Sequence, residues 1–195
     1  MFRILLVAGL MVMAPLTVAL DGQSLPDFSG KWTAVSPTIS YPPNRSMTIT
    51  QDGTTLTVDS TAFRVTASTA GWSSETSYPM RTIYILDGTE HPSQIVADPP
   101  PWPQSLKAMT TTLHESISKA TWAGRHLVIM TYEKQRTTAP GRTPAFAETR
   151  RTVREAISLE ADGALVWESL IVADPLPWGR AVATPTPFRR IYRKS

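Results

Sequence analysis

The chain has 195 residues, with 19 Lys and Arg against 16 Asp and Glu, 17 prolines and no cysteine. The lack of cysteine excludes disulfide scaffolds, thiolate metal sites and cysteine nucleophiles, so the fold must be held by packing and sheet closure. A formal net charge of +3 is too small an excess to argue for a nucleic-acid partner.

Met1 to Ala19 carries one early positive charge, Arg3, then an apolar run from Ile4 to Met13, and ends in Thr17-Val18-Ala19. That pattern predicts a secretory signal peptide over 1–19, cleaved near Ala19, and export to the periplasm or the extracellular space. The run is shorter than the roughly 20 apolar residues of a spanning helix, so no membrane span is expected in the mature chain. Loss of Arg3 leaves 18 basic against 16 acidic groups, a net charge of +2. Residues 20–195 suffice for one domain with a real core.

Helix signals are scarce along that domain. Short runs of Thr, Val, Ile and aromatics alternate with Gly, Pro and Asp, which predicts strands and turns. The first strand follows Gly30-Lys31-Trp32. Met47–Thr50 and Thr55–Val58 form a hairpin through Asp52-Gly53, a pair suited to a primed turn. Phe63–Thr66 continues the meander, 67–78 reads as a Ser/Thr-rich loop, and Thr82–Leu86 is a strand stopped by Asp87-Gly88. Lys107–Trp122 and His126–Lys134 pair across Ala123-Gly124, residues 138–145 form a loop, and 149–160 pairs with 164–173 across Asp162-Gly163. Phe188–Lys194 can pair back with the first strand. These elements predict an all-β, antiparallel up-and-down barrel of about nine strands, with a β-sandwich as the alternative.

Gly30-Lys31-Trp32, entered through Asp27-Phe28-Ser29, resembles the Gly-x-Trp signature at the first strand of lipocalin-like barrels. The chain also resembles small secreted bacterial barrels of unassigned function, which open on Phe-Ser-Gly-x-Trp and close on a basic, Tyr-containing strand such as Arg189–Lys194. The resemblance implies that an arginine of the last strand lies across Trp32 in a cation–π contact that closes the barrel. Arg189, Arg190 and Arg193 compete for that role; Arg190 is expected to fill it, because it alternates with Phe188 and Tyr192.

Ile95-Val96-Ala97-Asp98-Pro99-Pro100-Pro101-Trp102 recurs, 76 residues on, as Ile171-Val172-Ala173-Asp174-Pro175-Leu176-Pro177-Trp178. Proline fixes φ and removes donors, so each segment is expected to leave the ladder as a stiff arm presenting a ring. Trp102 and Trp178 are therefore the candidate ligand-binding residues, at one open end, against a plainer role in pinning their loops. The three histidines lack the spacing of a metal-ligand set, so neither metal nor cofactor is expected. Asp98, Asp174, Glu115 and Glu155 are the carboxylates considered for acid–base work, with Asp98 and Asp174 matched in the echo; an Asp before Pro more often starts a turn. No nucleophile elbow or phosphate loop occurs. No catalytic residue is assigned, and binding is favoured over catalysis. The reading is a small apolar or amphipathic molecule held inside the barrel; the alternative is an envelope protein partner bound by a barrel with a filled core.

Overall fold

The computed structural model describes residues 24–35, 46–67, 73–97, 110–138, 144–175, 185 and 187–195. Regular structure in them is entirely β: β1 (Gly30–Ala34), β2 (Ser46–Gln51), β3 (Thr55–Ala67), β4 (Ser73–Ile85), β5 (Glu90–Pro92), β6 (Gln94–Ala97), β7 (Thr110–Ala123), β8 (His126–Thr138), β9 (Phe146–Leu159), β10 (Leu165–Ala173) and β11 (Phe188–Lys194). They make one antiparallel sheet in the order β5-β7-β8-β9-β10-β11-β1-β2-β3-β4-β6.

Closure comes from two places. At one, β1 pairs with β11, so the ends of the domain meet as expected, with Trp32 opposite Lys194. At the other, a single extended run changes partners at Ser93. Its first half, β5, pairs with β7, and its second half, β6, pairs with β4. Ser93 N–H donates to the Ser116 carbonyl at 2.8 Å, and the Ser116 hydroxyl donates to Ser93 Oγ at 2.7 Å. This run draws the sheet's two edges into a nearly closed antiparallel barrel.

Eleven strands replace the nine expected. Thr55–Val58 and Phe63–Thr66 are one strand, β3, and the Ser/Thr-rich stretch read as a loop to residue 78 is strand from Ser73 onward. Ser and Thr suit a half-wet pleated surface as well as they suit a loop. The β5–β6 run, unread in the sequence, adds the rest.

The turns are local chemistry. Gly53 does not take the positive φ expected of a primed turn. Instead the Asp52 carboxylate accepts the N–H groups of Thr54 and Thr55 at 2.8 and 2.7 Å, together with both hydroxyls. Gly124, at φ +62°, starts the β7–β8 turn one residue later than expected. Ala123 therefore pairs with His126, and Trp122 with Leu127.

The short turns all lie at one end of the barrel, and apolar side chains fill it. Phe28 and Trp32 are fully buried with Ile49, Leu56, Leu127 and Leu165. Phe28 stacks on Trp122 at 5.7 Å, and its carbonyl accepts the Trp32 indole N–H at 2.9 Å. Gln51 ties in the entering segment, donating to the Pro26 carbonyl and accepting the Phe28 N–H.

The cation over Trp32 is Lys194, with Nζ 5.4 Å from the ring centroid, and not Arg190. Both residues share one face of β11, but only Lys194 is in register with Trp32. Arg190 lies four residues earlier, about 13 Å along the strand, opposite Trp167. Gly30, at φ +146°, lets the lysine stem pass, since a Cβ there would sit 3.1 Å from Lys194 Cε.

Candidate lumenal binding site

Along β8 the inward face reads Leu127, Ile129, Thr131, Glu133 and Thr137, all buried. The first two belong to the apolar floor; the others, toward the rim of long connections, are polar. Strand β9 repeats the gradient in reverse, with Thr149 buried near the rim and Ile157 in the floor. Period-two alternation thus builds a barrel with a dry base and a polar band above it.

Glu155 stands at the boundary, two residues from Ile157 on the same face of β9. Its Oε1 accepts the Trp167 indole N–H at 2.9 Å from the neighbouring β10. Its Oε2 accepts the Tyr84 hydroxyl at 3.3 Å. Strand β4 is not adjacent to β9, so this second bond crosses the interior.

Burial raises the Glu155 carboxyl above the ordinary glutamate value, against the pull of the Trp167 and Tyr84 hydrogen bonds and of the Arg190 charge. Burial also drives the Tyr84 hydroxyl well up, and the nearby Glu155 charge reinforces it. Among the described residues no Lys, Arg or His comes within 4.0 Å of Glu155. The Arg190 charge acts on both the Tyr192 hydroxyl and the Glu155 carboxyl, favouring their ionised forms against burial.

One layer toward the rim, Glu133 is satisfied differently. Its Oε2 accepts Arg151 Nε at 2.6 Å and Gln135 Nε2 at 3.0 Å. The two acids differ in what remains open: Glu133 has a resident cation, while Glu155 has only neutral donors. Glu155 as a residue is half-buried, with its carboxyl well inside, and each carboxylate oxygen can accept a further hydrogen bond. It is the group best placed to receive a donor from a bound molecule.

Of the residues singled out in the sequence, Glu155 is at this site; Asp174, Gly30, Trp32 and His91 are not. Trp102, Trp178 and Asp98 lie outside the described residues. Strands β6 and β10 run in the same sense, so Ala97 and Ala173 both end strands that head away from the apolar floor. Asp174 extends the β9–β10 ladder: its N–H reaches the Arg150 carbonyl at 2.9 Å, and its carboxylate accepts the Arg150 N–H at 3.0 Å. Gly30 and Trp32 belong to the floor, far from the polar band. His91 bonds to Asp87 and Thr89 in a turn, and no cluster of three metal-ligating side chains occurs among the described residues.

Tyr84 and Trp167 were missed as functional candidates. The available signal was an acid two positions before Ile157 in an alternating strand, which places a carboxylate on the core-facing side. Its two partners could not be found without the register.

Comparison with protein-family models, curated proteins and solved structures gives no match to this chain. Among the described residues no helix is long and apolar enough to cross a membrane.

Proposed function

We propose that this is an exported, lipocalin-like carrier that holds one small amphipathic molecule in the upper half of its barrel, with the polar end at Glu155. The observation that carries this reading is Glu155, a half-buried residue whose carboxyl lies well inside and is hydrogen-bonded across the interior above an apolar floor. A buried polar group keeps its place when function needs it, since an apolar residue would stabilise the fold more cheaply. The polar lining argues for an amphipathic cargo over a purely apolar one. Export rests on the leader pattern at 1–19. The lipocalin likeness rests on Gly30-Lys31-Trp32 and on the pairing of β1 with β11, with a lysine where that family uses an arginine.

A second reading, docking of an envelope protein at the rim, is favoured by the exposed apolar pairs Ile95-Val96 and Ile171-Val172. Native mass spectrometry of protein purified without denaturation separates the two. Reproducible extra mass from a small molecule, with displacement reported by tryptophan fluorescence, is expected of a carrier. An unliganded mass, with no quenching across a panel of amphipathic compounds, would leave the rim reading.

A further inference from the structure

The geometry points to a protonated amine as the polar end of the cargo, seated as the ion-pair partner that Glu155 lacks. This deepens the carrier reading and rests on it.

The contrast between two acids in one lumen carries the argument. Glu133 is paired with Arg151 at 2.6 Å, so its charge is answered within the protein. Among the described residues, Glu155 takes hydrogen bonds only from an indole N–H and a phenol O–H. A carboxylate withdrawn from water with neutral donors alone remains costly, and a cation delivered by a ligand removes that cost. Both of its donors are aromatic side chains. An ammonium beside Tyr84 and Trp167 can therefore contact ring faces as well as the carboxylate, a combination that suits alkylammonium groups.

Among the described residues, the charged and titratable groups facing this position are few. Tyr84 comes from β4, Glu133 from β8, Arg151 from β9, and Arg190 and Tyr192 from β11. Arg151 is committed to Glu133, and Arg190 acts on Glu155 through its charge without coming within ion-pair distance of it. Arg190 is the group that opposes the assignment, because an anionic cargo would seek it. The experiment sets the two against each other.

Isothermal titration of the protein with octylamine, octanoate and octanol compares three head groups on one chain length. Octylamine is expected to bind in a saturable one-to-one manner and more tightly than the other two. Glu155→Gln should weaken it about 10- to 100-fold, as loss of a charge-assisted contact does, and should leave octanol unchanged. Tighter binding of octanoate than of octylamine, or equal octylamine affinity in Glu155→Gln, would overturn the amine assignment while leaving the carrier. Absence of binding by all three would remove the carrier reading with it. The comparison of head groups uses the unaltered protein, so it stands even where a variant folds poorly.

Discussion

The Tyr84 hydroxyl reaches Oε2 of Glu155 at 3.3 Å from a strand that is not its neighbour, 71 residues away in the chain. The bond ties opposite walls of the barrel at the level where the apolar floor ends. Below it lies the apolar cluster that includes Trp32, Ile49, Leu127 and Leu165; the groups above it are those a cargo would meet.

Replacing Glu155 tests the cost of that arrangement. A folded pKa raised above the ordinary 4.5 means that the folded state holds the proton more tightly than the unfolded chain. The corresponding stability is complete below about pH 4.5 and is lost as pH rises through the folded value. Glu155→Gln keeps an acceptor for Trp167 and removes the charge. Its urea midpoint should exceed that of the parent at pH 8 and converge with it at pH 4. A lower midpoint at pH 8 would show that the carboxylate supports the fold.

Glu133 depends instead on its arginine partner. Arg151→Gln leaves a carboxylate with only 8% of its side chain exposed and without its cation, a change expected to cost about 2–4 kcal/mol. Equilibrium denaturation gives the value. The double variant Glu133→Gln, Arg151→Gln should recover most of the loss, and failure to recover would mean that the arginine acts through packing instead.

At the floor, Trp32 and Lys194 should separate sharply. Trp32→Ala removes a fully buried ring and is expected to cost about 3–5 kcal/mol. Lys194→Met removes an exposed cation and should cost under about 1 kcal/mol. A larger penalty for Lys194 than for Trp32 would refute the view that burial, rather than the cation–π contact, secures the base.

Gly30→Ala should destabilise by about 1–3 kcal/mol, because it combines an unfavourable backbone angle with a Cβ crowded against the Lys194 stem. Adding Lys194→Ala should relieve only the crowding. Thermal denaturation of the single and double variants apportions the two effects.

The turns set part of the acid response. Backbone N–H and side-chain hydrogen bonds at the Thr54-Thr55 and Thr89 turns hold Asp52 and Asp87 at about 2. Depressed values mean stability that is present above the unfolded value of 3.8 and lost as pH falls toward 2. Asp52→Asn with Asp87→Asn should flatten the fall of the denaturation midpoint between about pH 4 and 2. An unchanged slope would assign the acid sensitivity to other carboxylates.

Much of the fold was legible because its signals are local. Alternation fixes which residues of β8 and β9 share a face, and Gly with Asp marks three of the four short turns. The β5–β6 run was not legible. Neither three nor four residues carry a recognisable period, and a strand that exchanges partners at Ser93 is defined only by its two neighbours. The site was half legible for the same kind of reason. Glu155 stood among the candidate carboxylates, but nothing in the order of residues links it to Tyr84.

The sequence by itself determined an all-β chain whose first and last strands could meet, since period-two patterning and turn chemistry act over a few residues. The tertiary structure decided which cation covers Trp32 and which acid is left without one. Those outcomes depend on register and on the curvature of the closed sheet: alternation selects a face, and only pairing across the barrel selects a level on it.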